Sequence, residues 1–208
     1  MDEEERAFQR LYGPWAAVTP SAAAALLEGL TVPWWISGGW AIEAFSGVAR
    51  RHEDVDVTVF RRHTAAVRRH FAGTHHVWWA GSRTLRPVVE EQSRIPSWAG
   101  QLWVREHALA PWLLDVQLNP GRRGDWVFKR DRTVVRPLDE ATWTAADGLR
   151  YLRPELVLAH KVLLHRDKDD GDLAATLPLL DREARRWLRE YVDSTSPGHR
   201  WSPALRGR

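Results

Sequence analysis

The chain contains no cysteine. Disulfides and thiolate zinc sites are therefore excluded, and cysteine usage says nothing about the redox compartment. It also lacks any run of eighteen apolar residues, so no membrane-spanning helix is predicted. Residues 1–5, Met-Asp-Glu-Glu-Glu, are acidic where a secretory leader begins positive, and the expected location is cytoplasmic. Lysine is scarce, at 129, 161 and 168 alone, so Arg supplies nearly all of the 30 basic residues. The net charge of +3 and pI near 9.7 raise the question of nucleic acid. The Arg pairs at 61–62, 68–69, 122–123 and 185–186 are scattered, however, and read as solvated surface. A small phosphate-bearing ligand needs only two or three such cations. With 208 residues the chain can bury roughly 70% of its unfolded surface without staples. Most of its 13 Trp are expected in the core or in pocket walls, with a few available to stack on a base or sugar.

The stretch 34–60 holds the densest chemistry. Residues 32–36 form a short apolar run that stops at Ser37-Gly38-Gly39, the pattern of a buried strand ending in a tight turn. Trp40, Ala41, Ile42, Ala44 and Phe45 then continue as a helix that Gly47 ends, followed by a basic hook at Arg50, Arg51 and His52. Next, Val55, Val57 and Val59 alternate with Asp54, Asp56 and Thr58. Alternation of period two puts apolar residues on one face and both carboxylates on the other. Two carboxylates so placed repel unless a cation lies between them, and a hard divalent ion such as Mg²⁺ suits oxygen ligands. Glycines let backbone N–H groups approach a phosphate, and a helix start adds partial positive charge there. Taken alone, Asp-x-Asp is more often an exposed strand face and Gly-Gly more often a plain turn. In this order they predict a site for metal and nucleoside triphosphate.

Residues 36–43, reading ISGGWAIE, and 50–57, reading RRHEDVDV, resemble the nucleotidyltransferase (polymerase beta-like) superfamily. The wording is that of its aminoglycoside-2''-adenylyltransferase and lincosamide nucleotidyltransferase branch. Two departures stand out: Glu43 where the branch usually has Asp, and a loop between Gly47 and Arg50 about one residue short. Neither touches a metal ligand, and both leave the acceptor open.

Elsewhere, residues 2–11 and 20–30 are predicted helices, the second with Thr19 as N-cap and Pro20 at its first position. A helix over 64–71 and a strand over 75–80 follow. Strands are expected at 85–89, 101–105, 112–118, 126–129 and 133–135, in a mixed sheet with hairpins. Asp115 stands in an otherwise apolar strand, and a buried acid needs a partner. It fits a structural acid as well as a third site carboxylate; the resemblance implies the latter, as general base. From Asp139 the character is expected to become helical, with a helix over 156–164 begun by Pro154 and carrying Lys161, then the R-x-K-D-x-x-D pattern of Arg166, Lys168, Asp169 and Asp172. Asp169 and Asp172 read as helix-start and ion-pair residues, and Asp181 as the cap of a last helix. Lys161 is a snorkelling surface residue or, by resemblance, a triphosphate ligand.

The expected architecture is α/β (α+β): a nucleotidyltransferase domain over 1–138 with a mixed, twisted sheet flanked by helices, a helical lobe over 139–193 and a mobile tail over 194–208. The resemblance implies adenylyl transfer from ATP to a hydroxyl of a small acceptor, an aminoglycoside or lincosamide antibiotic among the candidates. Ser37, Gly38 and Gly39 would hold the β- and γ-phosphates, with Arg50 and Lys161 balancing charge. Asp54, Asp56 and Asp115 would bind two Mg²⁺, with Asp115 taking the proton. A polycationic acceptor would need acids, for which Glu90, Glu91, Glu106, Asp125 and Glu140 are candidates. The chain is expected as a monomer or homodimer. The alternatives are a nucleotide-binding or antitoxin-like protein of the same fold without turnover, and an RNA-modifying transferase; three acids together favour turnover.

Overall fold

The computed structural model describes residues 3–89, 94–164 and 166–207. Eight strands form one mixed sheet in the order β4-β3-β5-β6-β2-β1-β10-β9. Its centre is β1 (Trp34–Ile36), β2 (Asp56–Phe60) and β6 (Trp112–Asn119). Strand β2 runs antiparallel to β1 and parallel to β6, with Asp56 registered opposite Asp115. Trp35, Ile36, Val57, Val59, Leu114, Val116 and Leu118 are buried. Thr58 is buried too, so the middle of the sheet is covered on both faces. Antiparallel β5 (Gln101–Arg105), β3 (His76–Gly81) and β4 (Thr84–Pro87) extend one side. A separate hairpin pairs β7 (Asp125–Val127) with β8 (Val135–Pro137).

The helices start and stop for local reasons. In α2 (Pro20–Leu26), the Ala22 N–H donates to the Thr19 hydroxyl at 3.3 Å and Pro20 sits in the first turn. Helix α3 (Gly38–Ser46) ends where Gly47 turns left-handed at φ 69° and returns its N–H to Glu43. Helices α1 (Glu3–Tyr12) and α4 (Thr64–Phe71) complete the first half. Near the sheet's far side a second aromatic nest forms, in which the Arg105 guanidinium lies 4.7 Å from the Trp78 ring and 4.2 Å from that of Trp112.

Two expectations are corrected. The chain after Asp139 is not helical throughout: a four-residue helix α5 (Leu138–Ala141) leads into β9 (Thr142–Thr144) and β10 (Arg150–Leu152), which return to the main sheet. Strand β10 lies parallel to β1, with Ile36 opposite Tyr151. The short β-rich pieces at Thr142 and Tyr151 carry no full alternation, so their pairing is decided by the open edge of β1. Helical character resumes with α6 (Pro154–Lys161), α7 (Asp167–Thr176), α8 (Arg182–Thr195) and α9 (Ser202–Leu205). Asp181 caps α8 as expected, accepting from Ala184 N–H at 2.8 Å. The tail, expected to be mobile, is instead packed. Trp201 and Leu205 are buried, Trp201 Nε1 donates to Asp170 at 2.6 Å, and Arg206 reaches Asp193 at 2.9 Å. Proline and glycine suggested a loose end, but two apolar side chains found a place against the helical layer. Among the described residues no helix is long and apolar enough to cross a membrane.

Candidate active site

One cavity of about 710 Å³ receives Ser37, Gly38, Gly39, Arg50, Asp54, Asp56, Asp115 and Lys161. The residues expected to hold phosphate or metal, or to take the proton, thus meet in the same space, although their chain positions span more than a hundred residues. The sheet order explains this, since β1, β2 and β6 are neighbours and α6 crosses beside them.

The glycine turn follows β1. Gly38 has φ 63°, and a Cβ built there would overlap the Asp56 carboxylate. A Cβ on Gly39 would overlap the Arg50 guanidinium. Gly38 therefore needs glycine, for its left-handed backbone and its close approach to Asp56, whereas a side chain at Gly39 would have to displace the Arg50 guanidinium. Ser37 joins the turn to β2: its N–H donates to the Asp56 carbonyl at 2.9 Å and its hydroxyl lies 3.0 Å from that of Thr58.

The acids sit in a poorly solvated pocket. Burial, with the neighbouring Asp54 charge acting in the same direction, pushes the Asp56 carboxyl up to about 6. Asp115 is raised well above the usual carboxylate range, first by burial and then by Asp56 and Asp54. Burial raises Asp54 as well, against attraction from Lys168. Two amides fix Asp115. Gln101 and Gln117 donate to its Oδ2 at 2.6 and 2.9 Å, and Gln117 also reaches Asp56 Oδ1 at 3.4 Å. Asp115 Oδ1 is buried and has no hydrogen-bond partner, which is costly for a carboxylate oxygen. The orphaned Asp115 oxygen, with Asp56 on the paired strand, offers oxygen donors of the kind a hard divalent cation takes. Among the described residues no group of three His, Asp or Glu side chains forms a ready-made metal nest. Paired carboxylates suit Mg²⁺, which keeps waters and takes phosphate oxygens to complete its shell.

The basic hook is held from two sides. Glu43 accepts from the Arg50 N–H at 3.0 Å and lies 2.7 Å from His52 Nε2. The His52 ring stacks on Trp40 at 3.9 Å, and Trp40 Nε1 donates to the Asp54 carbonyl at 3.1 Å. Asp54 is thus placed by a chain of contacts starting on α3. From the other side, Arg50 binds Asp172 through Nε at 2.8 Å and Nη2 at 3.3 Å. Lys161 binds Asp169 at 2.7 Å and Asp172 at 2.9 Å. Asp169 and Asp172 are ion-pair residues, as their position suggested. For Asp169 burial acts upward, but hydrogen bonds from Arg166 and Lys161 outweigh it and hold the carboxyl low.

Sequence reasoning missed the roles of Gln101, Gln117, Glu43, Lys129 and His160. Gln117 was readable, since i and i+2 share a strand face with Asp115; Gln101 required knowing that β5 pairs with β6. His160 lies 4.3 Å from the Phe128 ring, and burial, with repulsion from Arg130, Lys129 and Lys161, holds its pKa down to about 3. Of the acids expected to receive a polycation, Glu106 and Glu140 are exposed and, with Asp125, are not among the cavity's walls. Glu90 and Glu91 lie outside the described residues.

A family profile described as aminoglycoside-2''-adenylyltransferase matches residues 21–95. No curated protein matches the chain in sequence. Among solved structures, the lincomycin-bound lincosamide antibiotic adenylyltransferase LnuA is similar at 15% identity and TM-score 0.53, over 79% of this chain and 100% of that one. ANT(2'')-Ia in complex with adenylyl-2''-tobramycin is similar at 15% identity and TM-score 0.51, over 83% and 94%. The solution structure of the antibiotic-resistance factor ANT(2'')-Ia gives 17% identity and TM-score 0.50, over 82% and 87%. The resemblance carried by residues 36–43 and 50–57 is thereby borne out, and the chain has the fold of the aminoglycoside-2''-adenylyltransferase and lincosamide nucleotidyltransferase branch.

Proposed function

We propose that the protein is a nucleotidyltransferase that moves a nucleoside monophosphate, AMP from ATP, onto a hydroxyl of a small acceptor. The observation that carries this reading is the juxtaposition of Asp56 and Asp115 on paired strands beneath a glycine turn whose first residue, Gly38, leaves no room for a Cβ beside Asp56. In such an arrangement a triphosphate lies along the turn, with backbone N–H groups of Gly38 and Gly39 and the start of α3 facing its outer phosphates. Arg50 and Lys161 supply positive charge at that end. Asp54 and Asp56 would hold Mg²⁺, which would neutralise the phosphates and acidify the attacking hydroxyl.

Asp115 takes the acceptor's proton while the hydroxyl oxygen bonds to the α-phosphorus. The bond from that phosphorus to the bridging oxygen breaks on the opposite side, and pyrophosphate departs toward the glycine turn. Gln101 and Gln117 anchor one oxygen of Asp115 and leave the other to face the reacting hydroxyl. General-base help of this kind is worth roughly 10²–10⁴-fold. The acceptors suggested by the similar proteins are lincosamide and aminoglycoside antibiotics. The test is pyrophosphate release with each nucleoside triphosphate, with and without Mg²⁺, across a panel of hydroxyl-bearing antibiotics. Metal-dependent release with ATP that vanishes in Asp54→Asn and Asp56→Asn is expected. Undiminished turnover in either variant would remove these acids from the reaction.

A further inference from the structure

The cations around the cavity fall into two groups. At the glycine-turn end each is matched by an acid: Arg50 by Asp172, Lys161 by Asp169 and Asp172, Arg166 by Asp169, and Lys168 by Glu53. Lys129 and Arg130 also line the cavity, and among the described residues neither has a carboxylate within ion-pair distance. Lys129 Nζ donates to the carbonyl of Gly100, the residue before β5, at 3.3 Å. The next residue, Gln101, holds Asp115. In the sheet order β5-β6-β2-β1, Lys129 therefore sits beyond Asp115, three strand places from the glycine turn that follows β1, a distance of roughly 14 Å.

That end of the cavity is where an acceptor hydroxyl must enter to meet Asp115. Asn119, also in the cavity wall, donates to the carbonyl of Val127, two residues before Lys129. Apart from Asp115 itself, no acid among the described wall residues lies at that end: Glu53 is engaged by Lys168 at the other. A polycation placed there would face Lys129 and Arg130, neither of them ion-paired among the described residues and the first attracted by Asp115, while an acidic group would gain them as partners.

We propose that Lys129 and Arg130 form an acceptor subsite for an anionic group, so that the hydroxyl-bearing substrate is an acidic molecule and not a polycation. This rests on the nucleotidyltransferase reading and narrows it. The experiment measures binding by calorimetry, with the nucleotide end filled by Mg²⁺ and a non-hydrolysable ATP analogue. The probes keep one polyol frame and change its charge: tobramycin, its fully N-acetylated uncharged form and its N-succinylated anionic form. The wild type should bind the succinylated form best and tobramycin worst. In Lys129→Glu/Arg130→Glu the ratio of tobramycin to succinylated affinity should shift toward the polycation by about tenfold or more, the scale of two partly exposed charge interactions. Because the ratio is compared between proteins, added bulk cancels. Tightest wild-type binding of tobramycin, no binding of the anionic form, or a ratio unmoved by charge reversal overturns the subsite. So does a tenfold loss of affinity for the ATP analogue in the double variant, which would put both cations at the nucleotide. Failure of the wild type to bind the analogue at all would instead refute the underlying transferase reading.

Discussion

Asp115 is held by two amides through one oxygen while the other is buried and bare, so its replacement by Asn separates competing roles. Asn is nearly isosteric but cannot accept the proton. If Asp115 is the base, Asp115→Asn should retain nucleotide binding by calorimetry and lose roughly 10²–10⁴-fold in kcat. Normal turnover, or a protein that fails to fold, would sink the assignment. Asp56 makes a different prediction. Its carboxyl is raised to about 6 in the folded protein against about 3.9 unfolded, so between those values the folded state binds more protons than the unfolded one. Stability from this group is therefore lost as pH rises through the window, and the penalty is complete above about 6. Asp56→Asn should raise the melting temperature of metal-free protein at pH 8, with the gain shrinking toward pH 4. A gain independent of pH would mean that charge is not its cause. Gly39→Val should displace the Arg50 guanidinium and weaken thermal stabilisation by Mg-ATP; an unchanged thermal shift would refute the role given to the turn. Asp-x-Asp, the paired glycines and the lone acid of β6 were legible because each is a local pattern. The overlap of Gly39 with Arg50 was not, since it depends on a loop folding back over eleven residues.

At the scale of elements, α6 and α7 supply the buried ion pairs behind the site. Asp172 on α7 serves Arg50 and Lys161 together, and Asp172→Asn should lower stability by about 2–3 kcal/mol. Removal of one partner from a fully buried pair costs about 3–5 kcal/mol; here Asp169 retains Lys161 and Arg50 reaches solvent, so the loss is smaller. Urea unfolding checks the value. His160 on α6 has a pKa near 3 when folded and about 6.5 when unfolded. The unfolded chain therefore binds more protons between those values, and stability falls as pH drops through them. His160→Phe should flatten the acid limb of the profile, and an unchanged limb would assign it to other groups. Most elements were legible as well: α4 and β5 were expected at their observed bounds. Strands β9 and β10 were not, because three-residue pieces have too little periodicity to declare themselves and take their structure from the edge they cover.

For the whole molecule, the packed tail ties the last helices together. Truncation after Thr195 removes buried Trp201 and Leu205, an upper estimate of about 3–6 kcal/mol at roughly 1.5–3 kcal/mol for each side chain. A clear fall in the urea midpoint is expected, and an unchanged midpoint would make the tail an ornament. The placement of β10 beside β1 has a further consequence, for synthesis on the ribosome. A nascent chain that has emerged only through β6 can pair β1 with β2 and β2 with β6, yet β1 still presents an open edge, with Trp35 beside it, until residues 150–152 arrive. Such an edge invites pairing with another chain. Translation of the span from 119 to 152 is thus an interval of exposure, and the parallel closure of Ile36 against Tyr151 ends it.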